Sequence, residues 1–178
     1  MTPPRPSTAG RPAVDPLRFR QVIGHFASGV AVLTTSEAGQ AYGTTVSALC
    51  SLSADPPMLL ACLHADSATG RAVARTGVLA VNLLAADQAD LAHRFARKGG
   101  DKFAGMRLSI GDLGLPVLCG ALATLQCRVV GETEGGTHRV YLAEVVTVQA
   151  RPGRPLVYYR GRFGDFHQFD RPAQPDDK

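Results

Sequence analysis

The chain is 178 residues long, a length that suits one domain with a single hydrophobic core. Its residues are 45% hydrophobic and 19% charged, as in ordinary globular proteins, and no stretch approaches the roughly 18 unbroken apolar residues of a membrane-spanning helix. The formal net charge of +4 comes from 19 basic and 15 acidic residues without a dense basic block, so nucleic-acid-binding and membrane proteins are excluded.

The two ends of the chain differ in composition from the rest. Residues 1–14 are rich in proline and polar side chains and contain no apolar run, so they cannot supply the hydrophobic region of a secretory signal. We therefore expect a cytoplasmic protein with a disordered arm over residues 1–14, one folded domain over residues 15–168 and a flexible tail over residues 169–178.

The four cysteines, Cys50, Cys62, Cys119 and Cys127, form no Cys-x-x-Cys pair, and three of them lie within apolar, strand-like runs. This spacing supports neither a disulfide framework nor a metal site. We expect buried free thiols and no bound metal.

The first predicted element is a helix that begins at Asp15 and Pro16, because a capping side chain followed by proline is typical of a helix start. Apolar residues then repeat at helical spacing, at Phe19, Val22, Ile23 and Phe26. The helix is expected to end near Ser28 and Gly29.

A hairpin is predicted next, with one strand over residues 29–37 and a second from Gly43 to Pro57. The second strand is unusual because it carries five hydroxyl side chains: Thr44, Thr45, Ser47, Ser51 and Ser53. Two interpretations stay open at this point. The hydroxyls could face solvent on a half-exposed strand, or small side chains could admit a flat ligand whose polar edge the hydroxyls bind.

Alternating strands and helices are predicted in the middle of the chain: strands over residues 58–64 and 78–84, a capped helix over residues 66–77 and a helix that ends at Gly99. The helix start at Ser67 and Thr69 offers backbone N–H groups that suit a phosphate, although an ordinary cap has the same pattern.

An irregular connection is predicted over residues 101–118, followed by a long hairpin that turns at Gly135 and Gly136 and by a last strand over residues 155–161. Six or more strands with helices only as inserts favour a mainly β protein, folded as a closed or partly closed antiparallel barrel.

No nucleophile elbow, zinc motif, phosphate loop or dinucleotide fingerprint is present in the sequence. A cofactor that carries the chemistry itself needs only binding and orientation from the protein, so the small polar strand ends are compatible with a cofactor-dependent enzyme.

Six segments in order resemble one family: "FRQVIGHFASGVAVLTT", "GTTVSALCSLSADPP", "AVNLL", "FARKGGDKF", "GTHRVYLAEV" and "LVYYRG". The chain resembles, from Leu17 to Phe166, the short-chain flavin reductases that supply reduced flavin to two-component monooxygenases acting on phenols or 4-hydroxyphenylacetate. The resemblance implies an FMN-binding split β-barrel of Greek-key type with a few short helices. It also implies a homodimer, FMN or FAD beside the dimer interface, hydride transfer from a nicotinamide and a monooxygenase partner. The sequence holds no arginine cluster that can be assigned to a 2′-phosphate, so NADH is expected as the hydride donor, with NADPH left open.

The same resemblance implies a set of cofactor-binding residues. Those expected along the isoalloxazine ring and then along the ribityl and phosphate side are Thr45, Val46, Ser47, Ser51, Leu52 and Ser53. Those expected at the phosphate and at the flavin's outer end are Ser67, Ala68, Thr69, Lys102 and Phe103. Without the resemblance, a lone lysine such as Lys102 is more often solvated.

The nicotinamide site implied by the resemblance consists of His138, which positions the nicotinamide, together with Tyr159, Arg160 and Phe163. The family has an acid in its G-D-H motif, whereas this chain has "GTH", so Thr137 puts any acid-dependent orientation of His138 in doubt. Asn82 is expected to organise the barrel.

One alternative stays open, and another is disfavoured. A protein of this fold could keep flavin tightly as an electron-transfer or sensing module without NADH turnover. A pyridoxamine-phosphate-oxidase-like enzyme is disfavoured, because its phosphate-binding Arg/Lys pairs do not map onto this chain.

Overall fold

The computed structural model describes residues 14–168. The predicted arm, except for Val14, and the predicted tail lie outside the described residues. The described part of the chain contains three helices: α1 (Pro16–Ile23), α2 (Ala68–Thr76) and α3 (Ala89–Ala96). Its strands are β1 (Ser28–Gly29), β2 (Ala31–Glu37), β3 (Gln40–Val46), β4 (Leu49–Ala54), β5 (Pro57–His64), β6 (Val78–Leu83), β7 (Leu108–Ile110), β8 (Pro116–Leu118), β9 (Ala123–Gly135), β10 (His138–Ala150), β11 (Leu156–Tyr159) and β12 (Arg162–Asp165).

Seven strands form one antiparallel sheet in the order β3-β2-β6-β9-β10-β5-β4. Its two edge strands, β3 and β4, are consecutive in the chain and are separated only by Ser47 and Ala48. Successive Cα atoms are about 3.8 Å apart, so the edges approach within about 11 Å between Val46 and Leu49. The sheet must therefore roll until its edges come close, although they do not pair with each other.

Strand β2 and the residue before it show how the core is organised, because every residue from Val30 to Thr35 is buried. Alternate side chains of a strand point to opposite faces. Ala31 and Leu33 enter the cluster inside the rolled sheet, whereas Val30 and Val32 enter a second cluster with α3. Helix α3 thus packs on the outside of β2 and β3.

Asn82 is buried near the end of β6 and its side chain joins three strands. Its amide nitrogen donates to the Val32 carbonyl at 3.0 Å and to the Thr34 hydroxyl at 3.3 Å, while its oxygen accepts from the Leu118 amide at 2.9 Å. Every buried polar contact of this side chain is therefore internal, as expected for a residue that organises the sheet.

The mainly β, antiparallel class predicted from the sequence is confirmed. Helix α1 begins after the Asp15 cap as predicted but ends at Ile23, because Ser28 and Gly29 pair with β11 instead of continuing the helix. The single strand predicted from Gly43 to Pro57 is divided: β3 ends at Val46, β4 covers Leu49–Ala54, and Pro57 begins β5. The connection predicted as irregular holds the β7-β8 hairpin, and a turn at Gly161 adds β12.

The prediction of buried thiols is wrong for two cysteines. Cys50 and Cys119 are exposed and Cys62 is half-buried, so only Cys127 lies in the core. Cys50 is exposed because it lies on the edge strand β4, and Cys119 is exposed because it follows the short strand β8. All four are free thiols, and within residues 14–168 no group of three or more possible ligands could hold a metal.

None of the helices in the described range is long and apolar enough to span a bilayer.

Candidate functional site

A groove of about 1080 Å³ opens between α1, the start of β4 and the β11-β12 turn. It is lined by Ser47 and Ala48 on one side and by Tyr158 and Arg160 on the other. The structure thus brings a predicted flavin residue, Ser47, to the same groove as a predicted nicotinamide residue, Arg160. Ser47 and Arg160 are more than 100 positions apart in the sequence.

The predicted flavin segment lies on the two free edges of the sheet. Strands β3 and β4 each have one side of the backbone without a neighbouring strand, so amide and carbonyl groups there are available to a ligand. Ser47 and Ser51 are exposed, and Leu52, 45% exposed, is the extra residue of a bulge where β4 passes β5. The Ser53 hydroxyl accepts from the Asp55 amide at 3.2 Å.

Two of the predicted flavin residues use their side chains inside the protein. The Thr45 hydroxyl donates to the Ala92 carbonyl of α3 at 2.7 Å, and Val46 is 8% exposed and belongs to the core. Any ligand contact of these residues would be made by their backbone. The Thr45 hydroxyl therefore points to α3 instead of solvent, and its proton is not available to a ligand.

The start of α2 has the geometry expected of a capped helix. The Ser67 hydroxyl accepts from the Gly70 amide at 2.9 Å, and Thr69 is 3% exposed. The first amides of a helix have no helical acceptor, so the N–H groups of Ala68 and Thr69 remain for a ligand. The positive end of the helix dipole adds to their attraction for an anion.

Lys102 connects two elements through its ammonium group. Its Nζ donates to the Gly43 carbonyl of β3 at 3.1 Å and to the Phe95 carbonyl at the end of α3 at 2.9 Å. Partial burial lowers the pKa of Lys102 below its usual value. One ammonium proton is left for another acceptor, since the group has three donors.

Phe103 fixes the same corner by packing against Phe95, with ring centroids 5.0 Å apart and planes at 76°. Both rings fill the space beside Gly43, where a Cβ atom would lie 2.6 Å from Phe95 Cε1. The predicted outer end of the flavin site is therefore built around a position that only glycine fits.

His138 begins β10 and lies directly opposite His64, the last residue of β5. Their ring centroids are 5.3 Å apart with planes at 66°. His64 is followed by the loop that leads to the Ser67 cap, and the Ser67 amide donates to the His64 carbonyl at 3.0 Å. The predicted nicotinamide residue thus adjoins the predicted phosphate segment.

The other predicted nicotinamide residues lie on the β11-β12 hairpin. Arg160 has φ of 47° in its turn, and its amide donates to the Gly24 carbonyl after α1 at 2.9 Å. Tyr159 packs against His25 and Phe163 against His93, with centroids 6.1 Å and 4.8 Å apart. Within residues 14–168 no hydrogen bond or ring contact joins this hairpin to His138.

Sequence reasoning missed two features of the site. His64 is not adjacent to His138 in the sequence, and only the register of β5 and β10 brings the rings together. The apolar stripe of α1 predicted a helix, but in the structure no residue of α1 is buried. Its large apolar side chains and one just beyond it are exposed by half or more: Leu17, Phe19, Val22, Ile23 and Phe26.

Known proteins resemble this chain over most of its length. A family model described as a flavin reductase like domain matches residues 23–167. The reductase component of 4-nitrophenol 4-monooxygenase/4-nitrocatechol 2-monooxygenase from Rhodococcus opacus is 50% identical over 153 residues, which are 86% of this chain and 82% of the relative. An FMN reductase (NADH) from Ancylobacter novellus is 35% identical over 158 residues, 87% of each chain.

Solved structures show the same similarity. Nitrilotriacetate monooxygenase component B from Mycobacterium thermoresistibile has a TM-score of 0.84 and 34% identity, covering 90% of this chain and 92% of that one. An NADH:FAD oxidoreductase from Streptomyces globisporus C-1027, in complex with NAD and FAD fragments, has a TM-score of 0.80 and 31% identity, covering 94% of this chain and 100% of that one.

Proposed function

The chain belongs to the family of flavin reductase like domains, and from that premise we propose that it is an NADH-dependent flavin reductase that supplies reduced flavin to a separate monooxygenase component. The observation that carries the proposal is the shared groove. Ser47, Ala48 and the start of β4 border it on one side and the β11-β12 turn borders it on the other, so a flavin and a nicotinamide can meet there.

The residues present fit a flavin. Ser47 and Ala48 have small side chains and are exposed, so a flat ring system can approach the backbone closely. The unpaired amides of the edge strands can donate to the polar edge of such a ring, and the first amides of α2 suit its phosphate. Either FMN or FAD satisfies these contacts.

When bound, the flavin supplies an acceptor for the hydride that C4 of the nicotinamide gives up. The protein contributes orientation. Backbone donors of β3 and β4 hold the ring and stabilise negative charge on it, and proximity accounts for most of the rate. His138 positions the nicotinamide, and Arg160 borders the groove, whereas Tyr159 and Phe163 line a second pocket beside the same hairpin. No residue of the chain is required to take up a proton in the hydride transfer itself.

We further infer that the rolled sheet is a split barrel of Greek-key type and that two copies of the chain form a homodimer through α1. The barrel is supported by the short connection at Ser47 and Ala48, which joins the two edge strands β3 and β4. The exposed apolar side chains of α1, such as Phe19 (57%), and Phe26 just beyond it (74%) support the dimer, because monomers rarely leave such a patch uncovered. The domain limits over residues 15–168 and the cytoplasmic location stay predictions.

The decisive experiment mixes purified protein with NADH and either FMN or FAD without oxygen and follows the visible absorbance of the flavin. Catalytic bleaching of added flavin is expected, with NADH preferred to NADPH. No bleaching by either nicotinamide with either flavin would rule the proposal out. A yellow protein that keeps its flavin through gel filtration and does not oxidise NADH would favour an electron-transfer or sensing module instead.

A further inference from the structure

The strongest unassigned feature of the molecule is the group of side chains around His138. Thr137 precedes it in the chain, and His64 faces it across β5 and β10. We propose that Thr137 and His64 are positioning residues that together fix the orientation of His138 for the nicotinamide. The inference rests on the proposed function and assigns a role to two residues outside the predicted site.

The backbone holds the three residues in one arrangement. His138 and His64 are paired residues in the β5-β10 ladder. Beyond the ladder, the Ala65 amide donates to the Thr137 carbonyl at 3.0 Å. This bond extends the strand pairing past the two histidines, so Thr137 cannot move away from the loop that follows His64.

Thr137 contacts the imidazole directly. Its hydroxyl lies 3.0 Å from Nδ1 of His138, within hydrogen-bond distance. A hydroxyl can donate or accept, whereas the carboxylate of the family's G-D-H motif only accepts when ionised. This chain therefore keeps a polar partner for Nδ1 while it lacks the negative charge.

His64 restrains the imidazole ring of His138 as well. Its own Nδ1 accepts a hydrogen bond from the Asp66 amide at 3.2 Å, so neutral His64 carries its proton on Nε2 and its ring is fixed relative to the backbone. The edge-to-face contact at 5.3 Å then limits the rotation of His138. Both histidines are exposed, so His138 would otherwise be free to change rotamer.

A restrained side chain loses less entropy when a ligand binds. Ordering a free side chain costs enough to weaken binding by about two- to tenfold. Removing either restraint should therefore raise KM for NADH by about two- to tenfold and change kcat less, because the hydride donor and acceptor are not altered.

The test compares Thr137→Val, which removes the hydroxyl at nearly constant shape, with Thr137→Ser, which keeps it. Thr137→Val and His64→Ala should each raise KM for NADH, and Thr137→Ser should match the parent protein. In a His138→Ala background, Thr137→Val should have no further effect, because its influence passes through His138. An equal effect in both backgrounds would show a general structural role and overturn the proposal.

A second readout does not depend on turnover. Nitrogen NMR shifts of the His138 ring report its tautomer, and they should change in Thr137→Val but not in Thr137→Ser. Unchanged ring shifts in Thr137→Val would also overturn the proposal. Failure of the parent protein to oxidise NADH, with the expected ring shifts, would instead contradict the proposed function and leave the restraint on His138 supported.

Discussion

Val46 and Leu49 lie on opposite edges of the seven-stranded sheet, yet only two residues separate them in the chain. The free backbone groups of both edges are therefore brought side by side at Ser47 and Ala48. A strand with bulky side chains at this crossing would fill the space between the edges. The small side chains of Ser47 and Ala48 leave that space open.

Replacing Ser47 with isoleucine tests the need for space. Ser47 is exposed, so Ser47→Ile should leave the free energy of unfolding nearly unchanged. The added branches would occupy the groove, and an overpacking cost of about 1–3 kcal/mol corresponds to a loss of about fivefold or more in flavin affinity. Quenching of flavin fluorescence measures the affinity. Ser109→Ile, at an exposed site on β7, is the control, and equal affinities in both variants would contradict the assignment.

A negative charge at the start of α2 tests the phosphate position. Aspartate is as good a helix cap as serine, so Ser67→Asp should keep α2 folded. Like charges about 4 Å apart repel by about 1 kcal/mol even in bulk water, which predicts a loss of flavin affinity of about fivefold or more. The same titration detects it, with Ser109→Asp as the matched charge control. Unchanged affinity would place the phosphate elsewhere.

Removal of the imidazole should act on the nicotinamide more than on the flavin. Loss of one hydrogen bond of about 1 kcal/mol predicts that His138→Ala raises KM for NADH about fivefold, with a smaller change in KM for flavin. Steady-state kinetics with each substrate varied in turn provide the comparison. Gln149→Ala, at the exposed far end of β10, should behave as the parent protein. A larger effect on flavin than on NADH would refute the role given to His138.

A charge at Phe26, just beyond the end of α1, tests the dimer. Phe26 is 74% exposed within one chain, so Phe26→Asp should not unfold the monomer but should place an unpaired charge in the dimer interface. Sedimentation should show a dimer for the parent protein and a monomer for the variant. Ile110→Asp is the control, because Ile110 is 73% exposed on β7. A dimer that survives Phe26→Asp would mean that the interface lies on another surface.

Burial of the Cys127 thiol makes the free energy of unfolding depend on pH in the alkaline range. Burial raises the pKa of Cys127 to about 12, above the ordinary value of 9.0 that the unfolded chain has. The unfolded state alone releases the proton between these values, so stability falls as pH rises from about 9, by at most about 1.4 kcal/mol per pH unit. Urea unfolding at several alkaline pH values should show a steeper decline for the parent protein than for Cys127→Ala. Parallel declines would contradict the burial of a protonated thiol.

Features set by neighbouring residues could be predicted from the sequence. Asp15, Ser67 and Gly77 act as caps where the local pattern placed them, and the turn after Glu134 joins the long hairpin as expected. Caps and turns depend on a few adjacent side chains, so one sequence suffices to find them.

Features set by distant residues could not be predicted. The division of Gly43–Pro57 into two edge strands depends on which strands β3 and β4 pair with, and the contact of His64 with His138 depends on strand register. Periodicity showed that α1 has an apolar side but could not show what covers it. The resemblance to a family supplied the candidate site, because no short motif in the chain specifies it.

Helix α1 buries none of its residues in its own chain, and an isolated helix of eight residues is marginal in water. Within one chain it is attached through the Arg160–Gly24 backbone bond and the short β1-β11 pairing. Its amides should therefore exchange with solvent quickly in dilute protein and slowly in concentrated protein. Because α1 also forms one wall of the groove, turnover per molecule should fall on dilution, and the enzyme would respond to its own abundance.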